Sequence, residues 1–166
     1  MIQTYWVVQS DTSRLAEALY KELSAAYQQG VDRVILPGGQ SVHALYQQLE
    51  QSVYQMPDAK FMLSDERMVK PEEADSNEGQ IQRGYQTLYQ QLLSHHDMDA
   101  NQAEKFLSPE YLAVIGAGND GHFASLFPTI LPLQKRITPY LPKPGDAFIR
   151  QSFGYPVFLN ARAVFL

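Results

Sequence analysis

A three-layer α/β/α fold around a mostly parallel sheet is what this sequence predicts, on two observations. Short apolar runs alternate along the chain with longer stretches of helical period. Three of those runs end in loops rich in glycine or charge, as strands do where they feed a crossover helix. Such alternation sets consecutive strands parallel, with helices on both faces, the Rossmann-like arrangement.

The elements follow in order. Tyr5 to Val8 is a short β-type run. Asp11, Thr12 and Ser13 offer N-cap oxygens to a helix whose Leu15, Leu19 and Leu23 share one face. Val34 to Leu36 makes a second strand, ending at Gly38 and Gly39, and a helix from about Ser41 turns Leu45, Tyr46 and Leu49 inward. Phe61 to Leu63 is a third strand, followed by a loop from Ser64 to Asn77. One helix from Asp75 or Ser76 then carries Ile81, Tyr85, Leu88 and Leu92 as its apolar stripe. Leu112 to Ile115 is the fourth strand, and its loop delivers Asp120 and His122 where a helix is expected to begin. Pro128, Pro132, Pro139, Pro142 and Pro144 rule out a long helix after it and leave no clean strand. Ala147 to Ser152 and Ala163 to Leu166 read as further strands.

Composition narrows the function classes. With 166 residues the chain is expected to form one domain spanning 1–166. The formal net charge of −5, with no run of Lys and Arg, argues against a nucleic-acid partner. It leaves room for an anionic small molecule, because a few local donors suffice to bind phosphate. There is no cysteine, so thiolate chemistry is excluded. The N-terminus lacks a signal-peptide pattern, and no apolar run approaches the ~18 residues of a membrane span. A cytoplasmic protein without a membrane partner is the expectation.

Three loops gather along one edge of such a sheet, where ligands of open α/β folds bind. Gly38 and Gly39 let the backbone approach a ligand closely, and the helix start behind Ser41 favours an anion. Read alone, this is more simply a tight turn with Ser41 as an N-cap. Asp65, Glu66 and Arg67 end the third strand; Arg67 suits a phosphate, a carboxylate or developing negative charge, or else a salt bridge to Asp65, Glu66 or a neighbouring loop. Ser76 and Asn77 cap the next helix, with Asp75 and Glu78 as a loose capping box. His122 suits a general base, because a histidine side chain in general has an unperturbed pKa of about 6.5. His43 faces either the cleft or solvent. His95 and His96 read as solvent-facing, with no third ligand at a fixed spacing, so no metal is expected. Gly116, Gly118 and Gly121 match the dinucleotide fingerprint, but neither the long helix nor the acidic residue about 20 positions on is present. No nicotinamide or flavin cofactor is expected.

Those loops, in that order, resemble the 6-phosphogluconolactonase family, relatives of glucosamine-6-phosphate deaminase. Gly116 to Pro128 is close to the pattern G-x-G-x-D-G-H-x-A-S-L-F-P. Asp65-Glu66-Arg67 with Ser76-Asn77 is similar to the family's D-E-R … S-N signature, and Leu36 to Tyr46 to its phosphate loop. Arg67 and Ser125 to Pro128 point to the lactonase branch, since the deaminases carry Asp-Glu-Tyr and Asn-Glu-Pro there. The resemblance implies a hydrolase of the pentose phosphate pathway that converts 6-phosphoglucono-1,5-lactone to 6-phosphogluconate without cofactor or metal. It implies His122 as the base, Asp120 as its orienting partner or a holder of a substrate hydroxyl, and Arg67 as an oxyanion stabiliser. It implies Gly38, Gly39, Ser41 and Arg150 around the phosphate, with Asp65 and Asn77 completing the substrate site. Pro37, Gln40 and Val42 depart from the family's glycine loop, and a lysine usually found after the last strand has no counterpart. Family members continue beyond Leu166, and an uncovered sheet edge invites self-association, which leaves room for a homo-oligomer. The alternative reading is a catalytically weak or silent sugar-phosphate-binding protein of the same fold.

Overall fold

The computed structural model describes residues 11–39, 42–118, 121–127, 137–142, 145 and 147–166. The strand expected at Tyr5 to Val8, and the site residues Ser41 and Asp120, lie outside the described residues.

The central sheet holds five parallel strands: β1 (Arg33–Leu36), β2 (Lys60–Leu63), β4 (Leu92–Leu93), β5 (Leu112–Val114) and β8 (Ala163–Phe165), in the order β4-β2-β1-β5-β8. A parallel sheet needs cover on both faces, and the side chains alternate accordingly. Val34, Leu36, Phe61, Leu63, Leu112 and Val114 pack on one face with α1 (Thr12–Gln28), α2 (His43–Ser52), α3 (Asn77–Gly84) and α4 (Gln86–Tyr89). Ile35, Met62 and Ala113 face the other way, against Phe106 of α5 (Ala100–Phe106) and Val157 and Phe158 of α6 (Tyr155–Leu159). This is the three-layer arrangement expected.

A second, three-stranded antiparallel sheet of β3 (Asp65–Arg67), β7 (Ile149–Phe153) and β6 (Ile137–Pro142) runs in the order β3-β7-β6. It corrects two expectations. Asp65 to Arg67 is a strand, not a loop, because its backbone pairs with Arg150 to Ser152. The proline-bearing segment also yields a strand. β6 lies at an edge, where proline's missing N–H costs no ladder bond, and its register shifts between Thr138 and Leu141.

Three further differences concern helices. In α1 the buried residues are Ala16 and Leu23, with Leu19 and Tyr20 packed against them, and Leu15 is exposed. The inward face thus runs at spacings of three and four, not at four alone. The stripe from Ile81 to Leu92 is not one helix. Tyr85 leaves the helical region at φ −144° and ψ 70° just after Gly84, and Leu92 pairs with Phe61 in β4. The new helix start at α4 is capped from α2: Glu50 accepts from the N–H groups of Thr87 and Leu88 at 2.9 Å each and from the Thr87 hydroxyl at 2.7 Å. No helix begins at His122 among the described residues. Phe123 instead bridges to both Ala117 and Leu126, folding the loop back on itself.

Candidate active site

The loops after β1, β2 and β5 converge as the strand order requires, since β1 lies between β2 and β5. Together with β3 and β7 they enclose a cleft of about 200 Å³. Pro37, Gly38 and Gly39 form one wall; Ser64, Asp65, Arg67, Asn77 and Arg150 a second; Gly116 to Gly118, His122 and Ala124 the third. A larger groove of about 600 Å³ lies around Lys60, Met98 and Phe106 and shares none of these residues. The smaller cleft has the chemistry.

The glycine loop is shaped by sterics. A Cβ on Gly38 would stand 2.5 Å from Asn77 Nδ2, so the missing side chain admits Asn77, which sequence reasoning did not foresee. Gly39 sits at φ +96°, a region that L side chains rarely adopt. The Asn77 amide donates to the Asp65 carbonyl at 3.4 Å, while its Oδ1 is buried without a hydrogen-bond partner among the described residues.

β3 distributes three charges to three tasks. Asp65 points to the cleft wall: Oδ2 accepts from the Ser125 hydroxyl at 2.6 Å and lies 3.8 Å from the Arg150 guanidinium, and Oδ1 accepts from Ser64 at 3.1 Å. Glu66, on the opposite side of the strand, is fully buried and caps α3. It accepts from the N–H groups of Arg67, Asn77 and Glu78 at 2.7, 2.9 and 2.5 Å, and from the Ser76 hydroxyl. Glu66 therefore takes the place of the Asp75–Glu78 capping box, with Ser76 accepting from Gly79. Burial pushes its carboxyl up despite those donors. Arg67 returns to the cleft, where Nη1 donates to the Asp75 carbonyl at 2.9 Å and faces its carboxylate at 3.6 Å. Its guanidinium stands over the Phe148 ring at 5.9 Å, and its Nε has no hydrogen-bond partner among the described residues.

His122 is half-buried, its ring 4.8 Å from that of Phe127, and its carbonyl accepts from Gly118. Its loop is held at two points, both through Ser125, whose hydroxyl donates to Asp65 and whose N–H donates to the Ser152 hydroxyl at 3.4 Å. Ala124, just before it, adopts φ +51°, an unusual conformation for a residue with a side chain. Of the residues expected at the site, the structure therefore gathers His122, Arg67, Gly38, Gly39, Asp65, Asn77 and Arg150 around one cleft.

Three histidines need separate placement. His95 is not solvent-facing: it is buried, with Nε2 2.6 Å from the Leu63 carbonyl and Nδ1 3.1 Å from Gln151 Oε1, joining the two sheets. Nothing in its local sequence signals this, because both partners are remote. His43 neither enters the cleft nor turns outward, and its Nδ1 meets the Tyr85 hydroxyl at 2.6 Å. His96 is exposed, and with Glu66 and Glu78 it brings three donor atoms within 4.8 Å of one another. Glu66 already accepts three N–H groups there, so that cluster is spoken for by the α3 cap.

The fold and cleft define an α/β protein with a cleft at the carboxyl edge of a parallel sheet, lined by two arginines and a histidine. Residues 9–166 match the family model described as glucosamine-6-phosphate isomerases/6-phosphogluconolactonase, and the chain belongs to that family. It is 36% identical over 126 residues to a 6-phosphogluconolactonase of Pseudomonas putida, covering 69% of this chain and 51% of that one. It is 32% identical over 143 residues to one from Xylella fastidiosa, covering 78% and 57%. The chain thus spans somewhat more than half the length of these curated relatives. Among solved structures, the fold matches a 6-phosphogluconolactonase from Shewanella baltica with a TM-score of 0.76 at 22% identity, over 94% of this chain and 77% of that one. A monomeric glucosamine-6-phosphate deaminase matches at 0.69 and 13% identity, over 94% and 78%.

Proposed function

We propose that the chain hydrolyses 6-phosphoglucono-1,5-lactone to 6-phosphogluconate. The observation that carries this reading is the convergence of His122, Arg67 and Arg150 on one cleft, in a chain similar to named 6-phosphogluconolactonases. A lactone carbonyl is electrophilic enough to need no covalent intermediate. Neutral His122 takes a proton from water as the oxygen attacks C1. The carbonyl oxygen becomes an oxyanion, stabilised by Arg67 and loop N–H groups. The C1–ring oxygen bond then breaks, and His122 returns its proton to the leaving oxygen. Asp120 orients the imidazole or holds a substrate hydroxyl.

Gly38, Gly39, Ser41 and Arg150 hold the phosphate. Asp65 and Asn77 serve the substrate by shaping the wall: Asp65 through Arg150 and Ser125, Asn77 through its fit against Gly38. None of the described helices is long and apolar enough to cross a membrane. The cytoplasm is the proposed place of work, with a sugar phosphate and no nucleic acid as partner.

The test is turnover of freshly generated lactone above its spontaneous hydrolysis, alongside 6-phosphogluconate binding by calorimetry. Turnover supports the reading. Binding without turnover assigns a silent sugar-phosphate binder, and ammonia release from glucosamine 6-phosphate assigns a deaminase.

A further inference from the structure

Tyr46 is buried, and its hydroxyl donates to the carbonyl of Pro37, the residue that leads into Gly38 and Gly39. Its ring stands edge-on to Tyr85 at 5.4 Å and 71°. The Tyr85 hydroxyl meets His43 Nδ1 at 2.6 Å, and His43 opens α2, the helix that follows the loop. The glycine loop is therefore tethered on both sides, by Tyr46 before it and by His43 after it. Both tethers run to Tyr85, at the end of α3, whose first residue Asn77 abuts Gly38.

We propose that Tyr46, backed by Tyr85 and His43, is a positioning residue that sets the site's preference for a phosphorylated over an unphosphorylated sugar lactone. This rests on the lactonase reading above. Two consecutive glycines lose more conformational freedom on ordering than any other pair. A loop that must present N–H groups to a phosphate gains affinity when that ordering is made in advance. The donor to Pro37 supplies it, since a buried carbonyl left unpaired favours any loop conformation that finds another donor. Burial, reinforced by the carboxylates of Asp65 and Glu66, pushes the Tyr46 phenol far up, so it remains a donor at any physiological pH. The lactone ring and its carbonyl lie with His122 in this reading, so the tether bears on the phosphate end alone.

The test uses Tyr46→Phe and Tyr85→Phe, which each keep the ring and remove one hydroxyl. Both are compared with wild type on 6-phosphogluconolactone and on glucono-1,5-lactone. Tyr46→Phe is expected to lower the ratio of kcat/KM for the phosphorylated over the unphosphorylated lactone by about tenfold, through KM. Tyr85→Phe is expected to lower the same ratio by a smaller factor. An equal loss on both lactones, or an unchanged ratio in both variants, overturns the inference. A wild type that turns over neither lactone above background overturns the lactonase reading, and the inference with it.

Discussion

Arg67 of β3 stands directly opposite Arg150 of β7 in the antiparallel ladder, and both line the same cleft. Like charges at facing positions of a sheet are destabilising. Here each guanidinium is drawn toward a different carboxylate, Arg67 to Asp75 at 3.6 Å and Arg150 to Asp65 at 3.8 Å. Two cations side by side on one wall of the cleft suit an anion held between them. Arg150→Ala is expected to weaken 6-phosphogluconate binding roughly 10- to 100-fold, the cost of losing a charge-assisted contact. Calorimetric titration of variant and wild type checks this.

The Ser125–Asp65 bond ties the histidine loop to β3 at 2.6 Å between two buried side chains. Among the described residues, Ser125→Ala leaves that carboxylate oxygen with Arg150 as its remaining partner. The expected loss is about 1–3 kcal/mol in urea denaturation, with kcat falling more than KM rises, because the loop that carries His122 loosens.

Gly38 and Asn77 are matched in size. Gly38→Ala drives a methyl group into the Asn77 amide, which cannot withdraw while it bonds Asp65. A destabilisation of about 1–3 kcal/mol is expected, and shortening Asn77 to Ser in the double variant should restore part of it. Additive losses in that cycle would show that the two positions do not meet.

The acid limb of stability bears on Glu50. Burial alone would raise its carboxyl, but the bonds from Leu88 and Thr87 outweigh it and hold the group below its ordinary value. A carboxylate lowered in the folded state stabilises fully above its unfolded value, and that contribution disappears as pH falls through the folded one. Glu50→Gln should therefore cost stability at pH 7, and the gap from wild type should close as pH drops below about 4.5. Thermal melts across that range measure it. A gap that widens toward low pH would contradict the capping role.

Much of the site was legible because it lies in short segments with local signatures. The runs Val34 to Leu36, Phe61 to Leu63 and Leu112 to Ile115 announced β1, β2 and β5 by composition. Their loops then had to meet, since parallel strands share one carboxyl edge. What stayed hidden depends on partners far along the chain. Asp65 to Arg67 became a strand only because Arg150 to Ser152 pairs with it. His95 is buried because Leu63 and Gln151 both reach it. The helical stripe from Ile81 to Leu92 broke where Glu50, on another helix, supplies a second start. The prolines of β6 obscured an edge strand, which tolerates them.

The central claim is that His122 moves the proton in lactone hydrolysis. The most direct measurement is the rate on freshly generated 6-phosphogluconolactone for wild type and for His122→Ala, each against the spontaneous background. Wild type well above background is expected, with the variant indistinguishable from it while still binding 6-phosphogluconate. Equal rates for the two proteins, at any level, would contradict it.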